Sequence, residues 1–147
     1  MSALTLAAQD AEDLEIISAR LQDAVARVKD LAWLPKTRRF VALFNRFKWE
    51  DSENKGESLR VRAGLNFESV QSAKSHNIRY GDPEAVLSLL AIRFESAGGE
   101  EDPSGIVELV FSGGGAIRLQ VEYIEASLSD VSGEWAARGT PVHPVET

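Results

Sequence analysis

Hydrophobic positions change their spacing partway along the chain. Leu14, Ile17 and Leu21 recur at helical intervals, with Val25 next in the series. They follow Asp10-Ala-Glu-Asp13, which supplies a capping side chain and further acids at the positive end of a helix dipole. Ser18 and Gln22 interrupt the stripe, so it is narrow and suits one helix lying on a sheet. The helix end stays open between Gln22 and Val28, because Ala24–Val28 is compatible with helix or strand.

From Leu31 onward β-branched and aromatic residues rise and the period shortens to two. Leu31–Leu34 and Phe40–Phe47 flank Pro35-Lys-Thr-Arg38 as a predicted hairpin, with Pro35 in the turn because it cannot serve a central ladder. After a polar loop at 51–56, Leu59–Phe67 alternates cleanly, with odd positions inward and Arg60 and Arg62 outward. Ser75–Tyr80 is polar and irregular, Asp82-Pro83-Glu84-Ala85 predicts one helical turn, and Val86–Glu95 reads as a buried strand. A surface loop over 97–105 leads to a second hairpin, in which Ile106–Phe111 and Ala116–Tyr123 are joined by Ser112-Gly-Gly-Gly115. Ile117, Leu119, Val121 and Tyr123 point inward there, and Arg118, Gln120 and Glu122 outward. Ile124, Ala126, Leu128 and Val131 fit a further strand or a short closing helix equally well.

These elements predict one α+β domain over residues 4–132, followed by a flexible tail over 133–147. The N-terminal helix packs on a curved, mainly antiparallel sheet of about six to seven strands. A pleckstrin-homology-like split barrel is the leading specific architecture from strand count and hairpin order, with a simpler two-layer sandwich as the alternative if the helix closes the open edge. At 147 residues and 44% hydrophobic content, such a domain supports its own core without metals or staples. The absence of cysteine excludes disulfides, thiolate nucleophiles and Cys-bound zinc. No stretch approaches the roughly 20 apolar residues needed to cross a bilayer. Met1–Gln9 lacks the cation and apolar core of a signal peptide, so a cytoplasmic location and no membrane partner are expected.

Charge is distributed unevenly. Residues 1–26 carry one Arg against five acids, net -4; residues 27–48 carry seven cations against Asp30 alone, net +6; the remainder carries eight against seventeen, net -9. The acidic total of -7 discourages a polyanionic partner, while the basic stretch can focus a local positive potential. The plainer reading of that stretch, solvated cations facing acids elsewhere in the fold, is preferred.

Catalytic signals are weak throughout. Gly113–Gly115 lacks the following helix and Lys-Ser/Thr of a phosphate loop and reads as a hairpin turn that brings backbone close to something. His76 and His143 have no partner at metal-ligand spacing, and no Ser sits in a Gly-x-Ser-x-Gly elbow. No cofactor, metal or catalytic residue is implied. The best candidate surface interleaves cations with aromatics, namely Trp33, Arg38, Arg39, Arg46, Lys48 and Trp49. Because a strand buries every second residue, most of its rings are also needed for the core.

Taken together, Leu21–Val25, Asp30-Leu-Ala-Trp-Leu-Pro35, Arg39-Phe40, Asn45-Arg-Phe47, Asp82-Pro83, Ala85–Ile92 and Glu108–Leu119 resemble a small alphaproteobacterial family of unknown function, across nearly all of residues 4–138. The resemblance implies no activity, cofactor or catalytic residue. The resulting expectation is a noncatalytic module that binds an unidentified protein partner through a sheet edge or the aromatic-basic hairpin. The alternatives are nucleic-acid binding through residues 36–49, and a small-ligand protein or enzyme using the loop near His76.

Overall fold

A computed structural model describes residues 5–47 and 60–131. Its elements are β1 (Thr5–Ala8), α1 (Ala11–Arg20), β2 (Val25–Arg27), β3 (Leu31–Leu34), β4 (Arg39–Phe47), β5 (Arg60–Phe67), β6 (Val70–His76), β7 (Val86–Ser96), β8 (Gly105–Phe111), β9 (Ala116–Val121) and β10 (Ala126–Asp130). Every described pairing is antiparallel, and the strands follow the path β1-β10-β5-β4-β2-β7-β8-β9-β6, with β3 joined to β4 beside β2. The path has two ends and does not close.

The α+β class is as expected, but the described residues form ten strands in place of the expected six to seven. The additions are β1, β2 and β6. The first two span four and three residues, too short to display a period. β6 has the sequence VQSAKSH with only Val70 and Ala73 buried, and a bulge between Val70 and Ser72 breaks its alternation. β10 resolves the open segment after Tyr123 as a strand. Tyr123 itself, expected inward, is exposed because β9 ends at Val121.

The sheet bends so that one face encloses a single core. At the bend Ser69 adopts a left-handed φ of 57°, the Glu68 N–H donates to the Glu125 carbonyl at 2.8 Å, and the Glu122 N–H donates to the Ser69 carbonyl at 3.1 Å. β5 thereby passes into β6. Phe40, Phe44, Leu65, Phe67 and Leu128 from one half meet Leu89, Leu109, Phe111, Ile117 and Leu119 from the other, and Leu14, Ile17 and Leu21 of α1 join them.

α1 begins where its cap was predicted, with Asp10 Oδ1 accepting from the Asp13 N–H at 2.7 Å. It ends at Arg20, and the chain reverses at Asp23 (φ 65°) into β2. Ser18 explains the gap in the apolar stripe. Where β2 stops pairing with β7, the Asp23 N–H donates to the Leu89 carbonyl and the Leu89 N–H to the Ala24 carbonyl, after which Ser18 Oγ accepts from the Ile92 N–H at 2.9 Å. The helix thus occupies part of an open strand edge.

β7 is not the buried strand its sequence suggests. Leu87 and Leu89 face inward before a bulge, Ile92 and Phe94 face inward after it, and Leu90 is the supernumerary residue between. Both inward parities are therefore apolar, and Val86 and Leu90 remain exposed. Asp82–Ala85 forms one hydrogen-bonded turn, Ala85 N–H to Asp82 carbonyl at 3.1 Å, in place of the expected helical turn.

Candidate functional site

The predicted basic hairpin divides into unlike parts. Phe40, Ala42, Phe44 and Arg46 share the inward parity of β4, and Arg46 is 0% exposed. Its Nε donates to Asp130 Oδ1 and its Nη2 to Asp130 Oδ2, both at 2.9 Å. β5 runs between the two strands and presents the small Ala63 opposite Asp130, so the fork reaches across it. Arg46, expected on the surface, is thus a core residue whose charge is matched from within. Trp33 is also buried, paired across the hairpin with Phe40, and supplies core area. Lys48 and Trp49 lie outside the described residues.

Arg38 and Arg39 remain at the surface, at the hairpin tip. Arg38 occupies the left-handed position that closes the turn, and its Nη1 donates to Glu122 Oε1 at 2.6 Å. Arg39 Nη2 lies 3.1 Å from Glu68 Oε2, which also accepts from Asn66 Nδ2 at 2.8 Å. Arg27 and Lys29 share Glu84, at 3.5 and 2.8 Å. Lys29, with a smaller contribution from Arg27, holds the Glu84 carboxyl below its ordinary pKa. Five of the seven cations between residues 27 and 48 therefore face a carboxylate: four at the surface, as the plainer reading of the charge run expects, and Arg46 in the core, which that reading does not.

The third candidate region supplies no catalytic constellation among the described residues. His76 is exposed at the end of β6. Gly113 and Gly114 take φ values of 81° and 89°, and a Cβ on Gly115 would stand 3.1 Å from Ile78 Cδ1 and 3.3 Å from the Asn77 carbonyl oxygen. The close approach expected of this turn is to the chain's own 77–78 segment. Nearby, Tyr80 OH and Ser75 Oγ are buried without a regular hydrogen bond. Burial raises the Tyr80 pKa above its ordinary 10.0, an effect that the neighbouring Ser75 hydroxyl partly offsets. No group of three His, Asp or Glu among the described residues could hold a metal ion, and no helix among them is long and apolar enough to cross a membrane.

Two further features arise where β7 meets its neighbours. On one side, Leu90 borders a shallow groove with Glu15, Ser18, Ala19 and Gln22 of α1. Ile16 lies one helical row farther out, beside Ala19 at i+3. With Val86 on the same outward face of β7, the exposed fractions are 61% for Val86, 47% for Leu90 and 50% for Ile16. On the other side, Val86 also lines a cleft with Val25, Arg27, Asp30, Leu43, Asn45 and Arg62. Sequence reading missed both, although Ile16, adjacent to the buried Ile17 and off its stripe, was a visible signal.

The geometry defines an α+β domain in which one helix packs on a large, bent antiparallel sheet. The chain belongs to the family described as Protein of unknown function (DUF2948), whose match covers residues 4–143. No curated protein and no solved structure matches it.

Proposed function

We propose that this domain is a noncatalytic protein-interaction module, and that it engages its partner with the α1–β7 surface in place of the basic hairpin. The observation that carries the reading is the grouping of Ile16, Leu90 and Val86, each about half exposed or more, on one side of an otherwise well-buried domain. Isolated exposed aliphatics are ordinary; Leu90 at the groove, with Ile16 one helical row away and Val86 farther along the outward face of β7, gives an apolar surface of the kind that interfaces use. Glu15 of α1 lines the groove, with Glu12 one turn earlier on the helix, so the fitting partner segment carries an aliphatic or aromatic anchor flanked by Lys or Arg. The hairpin suits a polyanion less well, because Arg38 and Arg39 at its tip are already matched by carboxylates.

We also infer that the bent sheet is a pleckstrin-homology-like split barrel, a reading supported by the passage of β5 into β6 at the bend. A fold of that kind hosts unrelated functions and names no ligand. The functional test compares affinity isolates of the tagged protein and of Leu90→Asp from the native lysate at low and moderate salt. A stoichiometric protein that persists in salt and is absent from the Leu90→Asp isolate is the expected result. Equal recovery by both proteins, or nucleic acid that disappears as salt rises, would overturn the proposal.

A further inference from the structure

The cleft beside Val86 owes its shape to the way two short strands share one neighbour. β2 pairs with β4 at Asn45, β3 pairs with β4 from Ala42 to Arg39, and the 3-10 turn Val28–Asp30 between them stands off the sheet. Leu43 and Asn45 form the floor beneath that turn, beside Gly64, which offers no side chain. Arg62 enters from β5 as the cross-strand partner of Asn45, and Val25 continues the same row on the other side. Asp30 faces Arg62 from the turn.

Opposite charges, a polar amide and aliphatic walls therefore converge on about 140 Å³ of space, the liquid volume of roughly five waters. The charges are close but not joined. Arg62 Nη2 stands 3.7 Å from Asp30 Oδ2, well beyond the roughly 2.7–2.9 Å of a charge-assisted hydrogen bond. Arg62 Nε is buried with no acceptor, so the guanidinium is incompletely satisfied by its own chain. Arg27 at the rim is engaged by Glu84 and leaves Arg62 as the cation facing the interior.

We propose that this cleft binds a small zwitterion, a free α-amino acid with a short aliphatic side chain. The ligand carboxylate meets Arg62, with Asn45 beside it. The ammonium meets Asp30, and the side chain lies against Val25, Leu43 and Val86. A simple anion is disfavoured by Asp30 and a simple cation by Arg62, whereas a molecule carrying both charges complements the pair. Val86 borders both surfaces, but the charged pair Arg62 and Asp30 belongs to this cleft and not to the α1–β7 groove, so different substitutions test the two sites.

The test is a two-dimensional NMR titration of the full chain with L-valine, isovalerate and isobutylamine in turn. Saturable shifts confined to the backbone amides around Val25, Asp30, Asn45 and Arg62 are expected with L-valine, and at least about tenfold weaker binding with either singly charged analogue. Arg62→Met and Asp30→Asn should each weaken L-valine at least about tenfold, with the dispersion of the spectrum retained as the check on folding. Absence of saturable shifts with L-valine overturns the proposal. So does equal binding of isovalerate, or binding unchanged in both variants.

Discussion

Two arginines seven positions apart on β4 have opposite fates. Arg39 lies on the outward parity, half exposed, across from Glu68. Arg46 lies on the inward parity behind Phe40 and Phe44, sealed from solvent and held by both oxygens of Asp130. As letters they belong to the same basic run; as interactions they differ in kind. The exposed pair gains little because water and salt screen it. The buried fork has lost its hydration, so removal of either partner deprives a desolvated charge of its two-point counterpart. Parity along the strand, more than local charge, determines which regime a cation enters.

Arg46→Ala should remove the two-point pairing with Asp130 from the core and cost about 3–5 kcal/mol in urea unfolding. The double substitution Arg46→Met with Asp130→Leu should recover a large part of that loss, and its failure to do so would show that the fork is worth more than an apolar replacement. Ser18→Ala tests a neutral counterpart of the buried pair. It removes the acceptor of the Ile92 N–H and should cost about 1–3 kcal/mol, with faster hydrogen exchange at Ile92 as the local readout. At the exposed end, Arg38→Ala and Arg39→Ala should each cost about 0.2–1 kcal/mol, and the difference from wild type should shrink as salt is raised.

The smallest effect is expected at Tyr80, a buried polar group without a regular partner. Tyr80→Phe should leave stability at neutral pH nearly unchanged, because no good hydrogen bond is lost. Its effect belongs to alkaline pH. The folded-state pKa is raised, so the contribution of the protonated phenol is complete below the ordinary value of 10.0 and is lost as pH rises through the folded-state value. Unfolding curves above pH 10 should therefore be flatter for Tyr80→Phe than for wild type. Equal alkaline limbs would count against a desolvated phenol.

The helix cap at Asp10, the alternation of β5, and the β8–β9 hairpin were legible because each rests on local chemistry or on a clean period of two. β1 and β2 were not, because strands of four and three residues are defined by their neighbours. β6 was hidden by its polar edge composition and its bulge. The candidate sites were less legible still. Arg46 was visible as a cation, but its burial follows from the register that brings Asp130 across β5. The cleft around Arg62 joins residues from β2, β4, β5, β7 and one turn, a juxtaposition that no local pattern encodes.

The bulge at Leu90 has a consequence for deletion of residues. Removing one residue from the interior of a strand ordinarily exchanges its inside and outside beyond the cut. At this position the exchange has already been absorbed. Without Leu90, Leu87 and Leu89 would still face the core, Ala91 would follow outward, and Ile92 and Phe94 would again fall inward as a regular alternation. The ladder does not need this leucine to keep its faces sorted, so at the bulge, unlike elsewhere in β7, shortening the chain preserves the pattern of burial.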